Sequence, residues 1–352
     1  MKKKVAVAMS GGVDSSLCAA LLQEQGYEVL GITMRLSDDS REMNGVSSAA
    51  TDARRVADFL GIEHVVADFR TLFSDKVVDY FLTEYLTART PNPCVICNRF
   101  LKFGELLSFA KEKGADFLAT GHYVRVEKEE DGSFALKKGR DEKKDQSYVL
   151  YRLPREILSH ILFPLGSYRK EETRALAQKL SLPVANKAES QEICFVPEDD
   201  YKAYLSQHRP NCFHTGDIVD MQGQILGQHR GLPFYTIGQR KGLGIAAAHP
   251  LYVIALDEAN NRVIVGKNEE LYASSLFASD VNWLMEEPTQ EISVHAKIRY
   301  GSREVQANVL PLKDRAVKVS FLEPQRAVTP GQSVVFYSGE RLVGGATIES
   351  RT

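Results

Sequence analysis

A loop that contains two adjacent glycines is the feature that most constrains the fold of this chain. It joins a short apolar run, Lys4–Met9, to a segment, Ser16–Gln25, whose apolar residues recur at helical spacing. The loop itself reads Ser-Gly-Gly-Val-Asp-Ser over residues 10–15. A buried strand, a tight glycine turn and a helix in this order predict the first unit of a parallel α/β sheet.

The alternation of strand and helix continues through the first half of the chain. We predict further strands at Tyr27–Met34, His64–Ala67 and Asp116–Thr120, and helices at Thr51–Leu60 and Lys102–Lys113. These repeats predict a parallel sheet with helices on both faces. Because ligands bind at the carboxyl ends of strands in such sheets, the glycine loop and Thr120–Tyr123 are candidate site segments.

The second half of the chain is rich in short β-type runs that glycine and proline interrupt. With 352 residues, the chain is long enough for two or three domains. We predict an α/β catalytic domain over residues 1–200, a small central β-rich domain over 201–270 and a C-terminal β-barrel over 271–352. The charged stretch Glu127–Lys144 is interpreted as an exposed hairpin or loop.

Composition narrows the class of protein. The formal net charge is -2, so a nucleic-acid partner cannot be argued from total charge. No apolar run approaches the roughly 18 residues of a membrane span, and Met1–Lys4 is not followed by a signal-peptide core. Five cysteines in a chain of this length do not predict a disulfide scaffold. We therefore expect a cytoplasmic protein.

The glycine loop has the chemistry of a phosphate site. Gly11 and Gly12 allow close backbone approach, while Ser10, Ser15 and the first amides of the helix offer hydrogen-bond donors. Asp14 is interpreted as a ligand of Mg²⁺ or as a helix cap. No Gly-Lys-Ser/Thr follows and the G-x-G-x-x-G spacing is absent, which excludes a Walker A loop and a dinucleotide fingerprint.

Three cysteines are candidates for chemistry. Cys94 and Cys97 form a C-x-x-C pair just before a predicted helix that starts near Phe100, and such a position predicts a lowered thiol pKa. Cys194 follows Cys97 by 97 residues, so the two can meet only through the fold. Cys18 is interpreted as core packing, whereas no partner is evident for Cys212.

Taken together, the motifs resemble one family. The glycine loop, Thr90–Asn98, Thr120–Tyr123, Lys144–Tyr148, Ser190–Phe195 and Gly231–Arg240 occur in the order and kind seen in MnmA-type tRNA-specific 2-thiouridylases of the TrmU family, and they span nearly the whole chain. The resemblance identifies the loop as a PP-loop, the ATP-pyrophosphatase type. It implies an α/β ATPase domain followed by a small central domain and a β-barrel.

The resemblance also implies a reaction and its partners. ATP would adenylate C2 of the wobble uridine, position 34 of the tRNA, and sulfur would replace the activated oxygen. Cys194 would carry that sulfur as a persulfide, and Cys97 would be the nucleophile that releases the product by forming a Cys97–Cys194 disulfide. The partners would be tRNAs for Lys, Glu and Gln and a sulfur-donor protein, either a cysteine desulfurase or a sulfur relay; neither DNA nor a membrane is expected.

Site residues follow by matching positions. The ATP site would be formed by Ala8, Met9, Ser10, Gly11, Gly12, Val13, Asp14, Ser15, Met34 and Gly121. The target base would lie against Asn92, Pro93 and Cys94. The tRNA would contact His122, Lys144, Asp145, Gln146, Arg299, Tyr300 and Gln332.

The chain departs from the family at one position, because Cys94 stands where many members have Asp. A third cysteine raises the alternative that Cys94, Cys97 and Cys194 bind a [4Fe-4S] cluster with one open iron. Persulfide and cluster routes both stay open at this point. So do two other functions: another PP-loop adenylating ligase, and an inactive tRNA-binding protein with a vestigial nucleotide site.

Overall fold

The computed structural model describes residues 2–37, 48–188 and 193–352. Its first layer is a parallel five-stranded sheet with the strand order β3-β2-β1-β4-β7. The strands up to residue 200 are β1 (Lys4–Ala8), β2 (Glu28–Arg35), β3 (Glu63–Asp68), β4 (Phe117–Ala119), β5 (Val124–Lys128), β6 (Phe134–Lys138) and β7 (Ile161–Leu162). Val5, Ala6 and Val7 of β1 have no exposed surface, as the apolar run predicts for a central strand.

Helices pack on this sheet. They are α1 (Val13–Glu24), α2 (Ser48–Leu60), α3 (Arg70–Phe73), α4 (Asp79–Leu86), α5 (Pro93–Ile96), α6 (Leu106–Glu112), α7 (Lys170–Lys179) and, beyond the sheet, α8 (Tyr201–His208). Two π-helical stretches, Ser74–Val78 and Cys97–Glu105, join α3 to α4 and α5 to α6. Short 3₁₀ helices are Ser147–Leu150, Arg155–His160, Pro164–Ser167, Pro197–Asp199, Leu232–Phe234 and Asn268–Leu271.

The prediction of a helix over Lys102–Lys113 is wrong at its start. The helical run begins at Pro93, where a proline in the first turn costs no backbone hydrogen bond. Cys94 and Cys97 therefore lie inside this helical run and not ahead of it.

The second half consists of two β structures, as predicted. A four-stranded sheet, β10-β11-β8-β9, is formed by β8 (Gly216–Val219), β9 (Ile225–His229), β10 (Tyr252–Asp257) and β11 (Arg262–Gly266). The barrel strands are β12 (Tyr272–Trp283), β13 (Ile292–Lys297), β14 (Val305–Pro311), β15 (Val317–Arg326), β16 (Ser333–Ser338) and β17 (Arg341–Arg351). Pairing of β12 with both β15 and β17 closes the antiparallel barrel around fully buried side chains such as Val309, Val319 and Phe336.

The charged stretch Glu127–Lys144 contains a hairpin, but it is not simply exposed. Strands β5 and β6 pair antiparallel, and Lys137 of β6 pairs with Arg341 of barrel strand β17. Lys138 also forms an ion pair with Glu304 at 2.7 Å. The hairpin thus attaches the first α/β layer to the barrel.

Among the described residues, no helix is long and apolar enough to cross a membrane.

Candidate active site

The glycine loop follows β1 and turns directly into α1. Gly11 has φ +68°, and a Cβ built there would lie 2.5 Å from the backbone oxygen of Ala49 on α2. The Ser15 and Ser16 hydroxyls donate to the Gly12 carbonyl at 3.2 and 2.8 Å. No described side chain caps the N-terminus of α1, so its first amides remain the donors that a phosphate would use.

Asp14 is held by residues from two other segments. Its carboxylate accepts hydrogen bonds from Lys170 Nζ at 2.7 and 2.8 Å and from the Tyr123 hydroxyl at 2.9 Å. It does not cap α1, so that prediction is wrong. Both carboxylate oxygens already face a cation, so the arrangement does not fit a metal ion bound by Asp14. Lys170 was not among the predicted residues because it lies 156 residues from Asp14, and no local pattern marks it.

Gly121 and Met34 lie where the sequence places them. A Cβ at Gly121 would lie 3.0 Å from both Asp14 Cβ and the Ser15 amide. The segment that follows β4 therefore packs directly against the glycine loop. Met34 is half-buried at the end of β2, and Ala8 and Met34 pack against the same apolar core. On the other side of the loop, Lys187 donates to the Gly11 carbonyl at 3.1 Å and forms an ion pair with Asp52 at 2.6 Å.

Cys97 is buried in an apolar cluster that also includes Phe73, Leu101 and Phe195. Burial raises the pKa of the Cys97 thiol to about 12, although the Lys102 ammonium acts in the opposite direction. The prediction of a lowered pKa is therefore wrong. A helix terminus favours a thiolate only when water also reaches it, and here desolvation dominates.

This raised pKa has a measurable consequence. Because the thiolate is the reactive form, alkylation of Cys97 should accelerate about tenfold per pH unit between about pH 7 and pH 10. The measurement is iodoacetamide labelling followed by peptide mass spectrometry, with a Cys97→Ser variant to assign the signal. A rate that levels off below about pH 9 would contradict the raised pKa.

The other two cysteines lie close enough to Cys97 for their charges to interact with it. Cys94 and Cys194 are exposed, and partial enclosure by protein atoms raises the pKa of each thiol. Adjacent Phe195 contacts Phe73 and Phe81 with ring centroids 5.5 and 5.2 Å apart, which anchors Cys194 beside the helical run of Cys97. Residues 189–192, the first part of the Cys194 motif, lie outside the described residues.

The described side chains do not fit an iron–sulfur cluster. Over residues 2–37, 48–188 and 193–352, no three His, Cys, Asp or Glu side chains form a group that could hold a metal ion. All five cysteines are free thiols, including Cys97 and Cys194 of the predicted disulfide pair. The three cysteines are thus neighbours without forming a ligand set.

Lys102 connects the cysteines to the nucleotide loop, and sequence reasoning did not single it out. Its positive charge acts on Cys94, Cys97 and Cys194 and also on His122, which immediately follows Gly121. Phe103, next to Lys102, packs against the His122 ring with centroids 5.9 Å apart. Packing contacts thus connect the loop, through Gly121 and His122, to the helical run of Phe103 and Cys97.

Comparison with known proteins now identifies the family. Family models match three consecutive regions: the tRNA methyl transferase HUP domain over residues 3–198, the tRNA methyl transferase PRC-barrel domain over 202–267 and the aminomethyltransferase beta-barrel domain over 273–348. The tRNA-specific 2-thiouridylase MnmA 1 of Caldanaerobacter subterraneus subsp. tengcongensis is 52% identical, covering 100% of this chain and 99% of that protein. The MnmA of Carboxydothermus hydrogenoformans is 51% identical over 99% and 98% of the two chains. The chain belongs to the MnmA family.

One solved structure that resembles the chain does so much less closely. The U34-tRNA thiolase NcsA from Methanococcus maripaludis with its [4Fe-4S] cluster is 22% identical with a TM-score of 0.35, covering 60% of this chain and 69% of that one. A similarity this distant supports no conclusion about the cysteines here.

Three residues that the MnmA resemblance assigns to tRNA contact lie within the protein framework. His122 is buried, its Nδ1 lies 2.6 Å from the Thr120 hydroxyl, and burial lowers its pKa well below the ordinary value. Asp145 accepts hydrogen bonds from the Gly139 amide and from Ser147, and Gln146 accepts one from the Tyr123 amide at 3.0 Å. Asp145 and Gln146 therefore fix the loop that follows Lys144, whereas His122 is held by Thr120.

The barrel contributes two further members of the MnmA set to the cysteine region. Gln332 donates to the Thr90 and Pro91 carbonyls at 3.0 and 3.2 Å, just before the segment Asn92–Cys94. Tyr300 is 45% exposed, contacts the Tyr148 ring at 6.0 Å and lies near enough to Cys94 to interact with its charge. Gln332 therefore positions the segment Asn92–Cys94, and Tyr300 presents a partly exposed aromatic ring.

Arg299, by contrast, connects two domains. Its Nη2 donates to the Ile237 carbonyl of the central domain at 3.2 Å, and to the Ala327 carbonyl and the Thr329 hydroxyl of the barrel at 3.0 and 2.6 Å. Such geometry directs this nitrogen inward, away from any phosphate.

We therefore expect Arg299→Ala to act on stability. Leaving these buried acceptors without a donor should cost about 2 kcal/mol, or about 5 °C in Tm for a protein of this size. The matched control is Arg303→Ala, which removes an exposed arginine nearby. A direct phosphate contact would instead lower the slope of log K against log salt by about 1 with Tm unchanged, and thermal denaturation with salt-dependent tRNA binding distinguishes the two.

Proposed function

We propose that this protein is an ATP-dependent tRNA-uridine 2-sulfurtransferase that converts the wobble uridine, position 34, to 2-thiouridine. Relatives named tRNA-specific 2-thiouridylases match the chain from end to end at about half identity, and this supports the proposal. The observation that carries it is the packing that connects the phosphate-type loop, through His122 and Phe103, to the helical run of Cys97, where Phe195 also holds Cys194. Neither an amide-forming ligase nor an inactive binding protein accounts for two thiols in one domain with such a loop.

Adenylation makes the uridine oxygen a leaving group. The loop Ser10–Ser15 would bind the phosphates of ATP, with any Mg²⁺ arriving as part of the nucleotide. Asn92, Pro93 and Cys94 would face the target base, which must leave its stack for C2 to be reached. Attack of sulfur on C2 then expels AMP, which carries the former uridine oxygen away.

Sulfur would arrive on Cys194 as a persulfide from a donor protein. An exposed Cys194 beside a buried Cys97 suits this order, since a donor can reach the first thiol while the second is withheld until later. We propose tRNAs for Lys, Glu and Gln as substrates and the cytoplasm as the location. Lys144 and Tyr300 are the residues that we place against the tRNA.

The test is the nucleoside content of tRNA. In a strain that lacks this gene, mass spectrometry should find uridine derivatives at position 34 without the 2-thio group, and the wild-type gene should restore it. Purified protein with ATP, a tRNA transcript and a persulfide donor should form 2-thiouridine and AMP in equal amounts. Unchanged 2-thiouridine in the deletion strain together with no product in vitro would reject the function.

A further inference from the structure

Lys170 is a buried cation at the nucleotide loop. It is the first residue of α7, only 8% of its surface is exposed, and its Nζ lies 2.7 and 2.8 Å from the two carboxylate oxygens of Asp14. The same Nζ lies 5.5 Å from the centroid of the Tyr123 ring, whose hydroxyl also donates to Asp14. These contacts fix the ammonium against the first turn of α1.

The charge of Asp14 explains why a cation is needed there. Asp14 lies in the first turn of α1, beside the amides that a phosphate would approach. A carboxylate in that position repels the triphosphate, and the repulsion is strong in a partly desolvated site. Lys170 cancels that charge and brings a second set of N–H donors to the same place. Burying an ammonium costs free energy, which indicates that Lys170 has a functional role at the loop and does not only fill space there.

We propose that Lys170 is a catalytic residue that binds the triphosphate of ATP and stabilises the departing pyrophosphate. This inference rests on the proposed function. In the step concerned, uridine O2 forms a bond to the α-phosphorus, and the bond from that phosphorus to the α,β-bridging oxygen breaks. The electron pair leaves on pyrophosphate, and the N3 proton of the base passes to water.

Lys170 stays protonated throughout and acts on charge alone. Negative charge develops on the bridging oxygen as its bond to the α-phosphorus breaks, and a preorganised ammonium stabilises it without rearrangement. Before ATP binds, the Asp14 carboxylate, which also accepts a hydrogen bond from the Tyr123 hydroxyl, holds the Lys170 side chain in place. When phosphate enters, the ammonium is shared between Asp14 and the pyrophosphate half of the nucleotide.

The test uses the full-length protein and inorganic pyrophosphate as the probe. Lys170→Met should weaken pyrophosphate binding, measured by calorimetry, at least tenfold, and should slow tRNA-dependent AMP formation by roughly 10²- to 10³-fold. The matched control is Lys179→Met, an exposed lysine on the same helix, which should change neither quantity. Lys170→Arg should recover part of the pyrophosphate affinity because the charge is kept.

A second variant guards against misfolding. Asp14→Asn/Lys170→Met leaves no unpaired carboxylate in the loop, and it should lose pyrophosphate affinity as well. Pyrophosphate binding by Lys170→Met equal to that of the wild type would overturn the proposal, as would a wild-type protein that does not bind pyrophosphate. Failure of the wild type to make 2-thiouridine, with pyrophosphate binding lost only in the Lys170 variants, would reject the proposed function and leave the anion-binding role supported.

Discussion

Replacing Cys194 by serine is expected to abolish thiolation of tRNA while pyrophosphate is still released in the adenylation step. A serine oxygen cannot hold a terminal sulfur as a persulfide, so the loss should exceed about 10³-fold, as for other missing covalent nucleophiles. Adenylation depends on the loop Ser10–Ser15 and should continue close to the wild-type rate. The measurement pairs 2-thiouridine, by mass spectrometry of digested tRNA, with pyrophosphate released in a single turnover of the same reaction.

Cys97→Ser should fail at a different point, and this makes the pair of variants informative. The Cys194 persulfide would still attack C2 and expel AMP, which leaves the tRNA joined to the protein through a disulfide between Cys194 sulfur and the new base sulfur. Without the Cys97 thiol that bond persists, so a covalent protein–tRNA adduct should accumulate. Dithiothreitol should release it as 2-thiouridine-containing tRNA, because any thiolate can perform the exchange.

Two controls make the assignment strict. Cys212→Ser removes another exposed cysteine and should leave thiolation unchanged. Cys194→Ser/Cys97→Ser should form no adduct, since no sulfur is loaded. Full activity of Cys194→Ser with the persulfide donor, or an adduct that forms without Cys194, would contradict the roles assigned to the two residues.

Local patterns in the sequence were sufficient to predict the fold, because strands, turns and helices depend mainly on residues that are close together in the chain. The run around Val5–Val7 predicts a buried strand, and the two glycines after it predict the turn into α1; both are confirmed. The β-rich second half likewise predicts the closed barrel that β12, β15 and β17 complete. Each of these features is encoded within a few residues of itself.

Features that depend on distant residues could not be predicted in this way. The ion pair between Asp14 and Lys170 joins residues from opposite ends of the first domain, and nothing near Lys170 indicates a phosphate site. The thiol pKa of Cys97 was predicted in the wrong direction because burial, which dominates it, is a property of the packed fold. Similarly, a family motif marks Arg299 as important without distinguishing a tRNA contact from a link between domains.

Gly11→Ala is expected to eliminate AMP formation, and the structure separates its two costs. The first is backbone strain, because φ +68° costs a residue with a Cβ about 1 kcal/mol. The second is contact, since the new Cβ would lie 2.5 Å from the Ala49 carbonyl, and neither backbone can yield without moving the loop. Misplacement of a phosphate-binding loop by about 1 Å can cost 10²-fold in rate, so AMP formation should fall by at least that factor.

Gly61→Ala provides the matched control because it imposes the strain without the contact. Gly61 has φ +66° just past the end of α2, the helix that carries Ala49, and a Cβ built there meets no described atom within 4 Å. Both variants should therefore lose stability in thermal denaturation through strain, Gly11→Ala somewhat more because of the added contact, but only Gly11→Ala should lose AMP formation and pyrophosphate affinity. If the two variants form AMP at equal rates, the close approach of the loop to α2 does not position the phosphates. Backbone strain would then account for any loss of AMP formation in Gly11→Ala.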